Sequence, residues 1–218
     1  ATAGSATFVS GDVGKQIHEI SGGTGRATIK TFINSTTVEL TIIEDFSTKS
    51  FAAGTWAIAV SSIGGLTHLL NTTVSIMGDG ATIPNRVVSG TGTLTFDTFN
   101  SIVHAGLQYT STRTSMPLEV SRVEGIVGSS QGKRRRIDTV LIDFYDSRGG
   151  KLFDSRNKEL TLNARSLVDN INQAPALLNK NVKVDFASDW DTACALSIVQ
   201  EEPQPLNVRS MTYFISIN

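Results

Sequence analysis

Apolar residues in this chain recur every second position, and that period limits what it can fold into. "TTVELTII" (36–43) sets Val38, Leu40 and Ile42 on one face, and "GTLTF" (92–96) does the same with Leu94 and Phe96. "IDTVLIDFYDS" (137–147) aligns Val140, Ile142 and Phe144, with Asp138, Thr139, Asp143 and Tyr145 among the neighbours facing the other way. "ACALSIV" (193–199) aligns Cys194, Leu196 and Ile198, and "RSMTYFISI" (209–217) aligns Met211, Tyr213, Ile215 and Ile217. Successive side chains of a strand point to opposite faces, so this alternation suits a half-buried sheet and not a helix. Nineteen glycines punctuate the alternating runs, as turns between short strands require. The best helical pattern is "ARSLVDNINQAPALL" (164–178), and Pro175 interrupts it. The expected fold class is all-β with very little helix.

Two zones are expected. Residues 1–63 read as a small, barrel-like β module that ends in "TWAIAVSSIGG", where Ser61, Ser62, Gly64 and Gly65 form a junction. Residues 66–218 read as an antiparallel β-sandwich or barrel. A chain of 218 residues is long enough for either to bury a core. Its single cysteine, Cys194, excludes an internal disulfide framework and any multi-cysteine zinc site. No apolar run approaches the roughly 20 residues that cross a bilayer as a helix. The first residue is Ala1 and not methionine, so the chain is expected to be a piece of something longer.

The glycine-rich stretch "GDVGKQIHEISGGTGRATI" (11–29) poses the sharpest chemical question. A phosphate-cradling loop needs a glycine five residues before its Gly-Lys pair and Ser or Thr after the lysine. Val9 and Gln16 occupy those places, and "KQIHEI" alternates as a strand where the loop needs a helix N-terminus. The dinucleotide fingerprint fails as well, because Thr28 stands where its third glycine belongs. Gly22, Gly23 and Gly25 are therefore expected to be turn residues that accept positive φ.

Other constellations are equally sparse. His18, His68 and His104 stand singly, and none has a metal-ligand spacing. Asp185, Asp189 and Asp191 cluster in "VDFASDWD", without the glycine and terminal glutamate of a calcium loop. Cys194 alternates as a core residue, and no serine lies in a nucleophile elbow. No metal, nucleotide or other cofactor is expected. Glycan cleavage needs only two facing carboxylates on any scaffold, and it remains a minority alternative. Arg113 to Arg165 holds 11 basic and 7 acidic residues, peaking in "QGKRRRI" (131–137). That run reads first as a solvated loop entering a strand, and second as a contact for phosphates or an acidic neighbour.

Four stretches carry a family resemblance: "GLTHLLNTTVSIMGDGATIPNRVVSGTGTLTF" (65–96), "IVHAGLQYTSTRTSMPLEV" (102–120), "QGKRRRIDTVLIDFYDSRG" (131–149) and "DWDTACALSIVQEEPQPLNVRSM" (189–211). In that order they resemble the C-terminal portion of the tail nozzle proteins of short-tailed bacteriophages, also called tail tubular protein B. Gln108 replaces the usual proline, and "LLNTT" replaces a more acidic stretch. The upstream "DVGKQI…GRATIKTFINSTTVELTIIEDF…GTWAI" is similar to a small β module that recurs in phage tail proteins. The resemblance implies a virion structural protein of the tail, without catalytic residues, whose identical subunits form a ring that DNA passes through. Neighbouring tail proteins are the other implied partners. The stretch around Tyr109 and the basic residues Arg134 and Arg135 are expected at subunit contacts, the latter opposite Glu201 and Glu202 of the next subunit. The alternative is a carbohydrate- or receptor-binding β module of a tail. An immunoglobulin-like domain lacks its Cys…Trp…Cys hallmark here.

Overall fold

A computed structural model describes residues 1–21, 23–120, 129–162 and 174–218. The fold is all-β: the described residues form fifteen strands in four antiparallel sheets, and their only helical segments are single 3-10 turns at Ser10–Asp12 and Thr67–Leu69. The candidate helix over 164–178 lies outside the described residues up to Gln173. Its described remainder is not helical, and Leu178 bridges Ser147.

The chain divides into two compact units between Leu107 and Gln108. The expected junction at 61–66 falls inside the first unit, for a physical reason. The strand ending there, β4 (Trp56–Ile63), pairs backward with β1 (Gln16–Glu19) and forward with β7 (Leu94–Asn100). Hydrogen bonds therefore run across the serine- and glycine-rich corner. With β2 (Arg26–Asn34) and β3 (Thr37–Glu44) these strands form a sheet of order β3-β2-β1-β4-β7. A second sheet, β6-β5-β8, is built from β5 (Thr73–Gly78), β6 (Ala81–Val87) and β8 (Val103–Leu107).

The first unit has two small cores. Phe8, Ile17, Ile29 and Val38 form one, with Leu40 and Trp56 packed against it. Val74, Ile76, Ile83, Val88, Leu94 and Phe96 form the other. Val38 and Leu40 face inward as their alternation implies. Ile42 sits opposite Ala27 beyond the rim of that core and is exposed. The turn joining β5 to β6 is Asp79-Gly80, with φ of 47° and 80°. Two positive φ values match the twist of a tight hairpin, which is why glycine follows aspartate there.

Gly23 and Gly25 correct a sequence-based expectation, because neither has a positive φ. Their missing side chains make room instead. A Cβ on Gly23 would lie 2.4 Å from the Glu19 carboxylate, and one on Gly25 would lie 2.7 Å from the Phe46 Cα. Gly22 lies outside the described residues.

The second unit is a sandwich. One sheet has the order β13-β10-β15, from β10 (Arg135–Phe144), β13 (Asn181–Asp185) and β15 (Val208–Ile217). The other has the order β12-β11-β14-β9, from β9 (Ser111–Thr114), β11 (Lys151–Asp154), β12 (Glu159–Thr161) and β14 (Leu196–Gln200). Ile137, Val140, Ile142 and Phe144 from one sheet meet Leu152, Leu196 and Ile198 from the other in a single core. The alternation continues through Ile137 because a bulge between Ile137 and Thr139 keeps both Ile137 and Val140 inward. Pro203 and Pro205 lie in the connection between β14 and β15, where no ladder donor is needed.

Candidate functional site

The geometry gathers three of the four quoted stretches around Arg135 and two of them again around Arg148, both in the second unit. Arg135 opens β10 and is only 3% exposed. Its Nη1 donates to the carbonyl of Leu118 and approaches Ser130 Oγ (3.4 Å), while its Nη2 donates to the carbonyl of Thr192. Its backbone exchanges two hydrogen bonds with Asp191, each 2.9 Å. A side chain from 131–149 thus clamps backbone from 102–120 and from 189–211. A guanidinium suits this task, because its long stem and rigid planar fork carry five donors to separated carbonyls. Beside it, burial pushes the Cys194 thiol pKa up, with the Arg135 charge opposing, so Cys194 is a packed thiol and not a ready nucleophile.

The second point lies at the other end of the sandwich. The Arg148 N–H bonds the Pro205 carbonyl (2.8 Å), and Gln200 Nε2 bonds the carbonyls of Arg148 (3.2 Å) and Gln204 (2.9 Å). Arg148 Nη1 lies 3.4 Å from Gln204 Oε1, and Gln204 is itself buried. The "DSRG" and "QEEPQPL" stretches therefore hold each other.

The expected contact residues separate. Arg135 is corrected outright: it points inward and cannot meet a neighbour. Arg136 lies over the Trp190 ring (5.3 Å to the centroid) and pairs with Asp138 at 2.6 Å. That leaves Arg134, which is exposed, and the half-buried Lys133 facing outward. Glu201 is exposed but already pairs with Lys151 (3.1 Å), which also holds Glu159 (3.3 Å). Glu202 is exposed on the surface. Tyr109 is 80% exposed, just ahead of β9, and Met116 just beyond it is 84% exposed. These two remain available as an apolar contact.

In the first unit the structure pairs residues that sequence reasoning left apart. Asp79 accepts hydrogen bonds from the amides of Ser101 (2.9 Å) and Ile102 (2.7 Å) and from the Ser101 hydroxyl (2.6 Å). The ring of buried His18 lies between it (3.6 Å) and Gln16 Oε1 (2.9 Å). Partial burial works to raise the Asp79 pKa, but His18, Ser101 and the two amides outweigh it and hold the carboxyl at about 2. His68 and His104 are exposed and stand elsewhere.

The acidic cluster has structural duties. Asp185 accepts from Thr139 Oγ1 (3.1 Å), the Asp189 amide bonds Asp154 (3.0 Å), and Asp191 accepts from the Thr192 amide (2.7 Å). Among the described residues, no three His, Cys, Asp or Glu side chains come together as a metal site would need. A cavity of about 220 Å³ opens beside Phe144, Leu160 and Val184, and Asp185 is the one carboxylate in its described lining.

Neither a family model nor a curated protein matches this chain.

Proposed function

We propose that the chain is part of a bacteriophage tail, the C-terminal portion of a nozzle ring through which DNA is delivered. The observation that supports this reading is the convergence on Arg135. Three of the four stretches that resemble nozzle proteins meet at its guanidinium, and two of them meet again at Arg148. Residues that mark the resemblance thus serve the frame of a β scaffold and not a cleft, as a load-transmitting ring subunit requires. Identical subunits meet head to tail through closed, heterologous contacts. Tyr109, Met116 and Arg134 are the side chains of the second unit offered to them. The role assigns no catalytic step and no cofactor.

The test is localisation in the particle. An epitope tag placed after Asn218 in the phage-encoded protein, read by immunogold electron microscopy of purified virions, should label a ring at the distal end of the tail. Label on side appendages, together with binding or cleavage of host glycans by the purified chain, would instead establish the carbohydrate-binding alternative.

A further inference from the structure

Among the described residues the longest strand edge belongs to β15, which has no partner there beyond β10. Unpaired edges are templates for another strand, and proteins usually blunt them with charge, proline, bulges or brevity. Five other edges among the described residues follow that rule. The start of β3 is covered by Ala1–Ala3, through Val38 N–H to the Ala1 carbonyl (3.0 Å) and Ala3 N–H to the Thr36 carbonyl (2.7 Å). β6 contains Pro84 and Arg86, β13 contains Lys183 and Asp185, and β9 and β12 have four and three residues. β15 runs for ten residues with neither proline nor acid. Its one charge, Arg209, is held at the start of the strand by Asp143 (2.9 Å).

The direction of the free groups follows from the ladder. Asn218 N–H bonds the Arg134 carbonyl on the β10 side (2.9 Å). Alternation then turns the amides of Ser216, Phe214 and Thr212 toward β10, and those of Ile217, Ile215, Tyr213 and Met211 outward. Of the residues with outward amides, Met211, Tyr213 and Ile215 lean their side chains on the sandwich core. The exposed side chains between them are Thr212 and Phe214, the latter 52% exposed.

The geometry points to the β15 edge as a strand-pairing surface whose occupant is the β15 edge of a second copy of this chain. Length selects that occupant, since no other open edge among the described residues spans as many residues. Charge permits it, because two copies bring no like charges together along 210–217. Antiparallel pairing centred on Tyr213 sets Met211 opposite Ile215 of the second copy, and Thr212 opposite its Phe214. Outward amides then meet outward carbonyls, and both sandwich cores continue across the joint. A strand of this length spans roughly 30 Å. Such a contact alone falls short of the ~1,200 Å² of a standard stable interface, so the pair is a weak dimer that dissociates on dilution. The inference is independent of the ring reading, whose head-to-tail contacts need other surfaces.

Analytical ultracentrifugation with residue-resolved hydrogen exchange tests it on the whole chain. Dimerisation should slow exchange at Met211, Tyr213, Ile215 and Ile217 at least tenfold, leaving Thr212 and Phe214 as they are in the monomer. Thr212→Lys with Phe214→Lys should weaken the dimer at least tenfold, and Thr212→Glu with Phe214→Glu should do the same. Mixing the two double variants should restore a one-to-one dimer. Both positions are exposed, and unchanged exchange at Ile137 and Val140 certifies the fold of each variant. A monomer at high micromolar concentration, or an oligomer in which the four outward amides exchange freely, overturns the proposal.

Discussion

The two units solve the same problem in different ways. The second unit gathers its apolar residues into one cluster between two sheets, fed by β10, β11 and β14. The first divides them into two smaller clusters and ties strand connections together through Asp79. Its carboxylate holds the β7–β8 turn by three donors and reaches His18 on β1 (3.6 Å). The difference teaches that a chain rich in Thr, Ser and Gly can keep β units in shape with very few large side chains. Where it cannot enlarge the core, it places one polar group at the point where several connections end.

The largest effects should separate the two kinds of core. Leu196→Ala removes a fully buried side chain from the middle of the sandwich and should cost about 4 kcal/mol, near the upper part of the range for such deletions. Ile29→Ala empties a site in a cluster of four buried residues, where neighbours can collapse inward, and should cost about 2–3 kcal/mol. Urea unfolding of both variants measures the gap, and equal costs would erase the distinction between one core and two.

Gly25→Ala comes next. The new Cβ would lie 2.7 Å from backbone of Phe46, which cannot swing aside as a side-chain tip could. A cost of about 2 kcal/mol is expected from overpacking, read in the same denaturation experiment.

Asp79→Asn should cost about 1–2 kcal/mol at neutral pH, since it trades charge-assisted hydrogen bonds for ordinary ones. Its pH dependence is more telling. The folded carboxyl titrates at about 2, below its ordinary 3.8. Its contribution is therefore fully present above pH 4 and lost as pH falls toward 2. The variant should lose less stability than the parent over that window, with the difference confined to amides of residues 1–107. A parallel decline of both proteins would remove Asp79 as the tie.

Much of this architecture is legible in the residues. Alternation exposes the inward faces of β7, β10 and β14, because burial on one side of a sheet imposes period two. Asp79-Gly80 announces its hairpin through the positive φ that both positions take. The roles of single polar residues are not legible. Arg135 stands in a run of four adjacent cations, and local sequence does not reveal which of them a bulge and a neighbouring turn will draw inside. His18 and Asp79 lie 61 positions apart, and only the pairing of β1 through β4 to β7 brings them together. The junction at 61–66 looks like a linker by composition, yet Ser62 and Ile63 pair with Thr95 and Leu94 of β7 and the Leu66 N–H bonds the Gly92 carbonyl (3.0 Å).

The smallest expected stability effect is at Arg134. Arg134→Glu should change stability by no more than about 0.5 kcal/mol, as surface substitutions do. If the tail-ring reading holds, the variant should act on assembly of the full-length protein, most visibly at low salt, where exposed charges are least screened. Ring formation scored by electron microscopy at two salt concentrations is the check. Unchanged assembly at both would leave Tyr109 and Met116 as the remaining contact candidates.

Arg134 and Arg135, adjacent in the chain and opposite in placement, give the most direct test of the framework itself. Hydrogen exchange should be compared residue by residue in Arg134→Ala and Arg135→Ala. Arg134→Ala should match the parent throughout. Arg135→Ala should lose protection together around Leu118, along the start of β10 and around Thr192, while residues 1–107 keep theirs. If the two variants behave alike, or if Arg135→Ala frays only its own loop, Arg135 does not join the three stretches and the scaffold account fails.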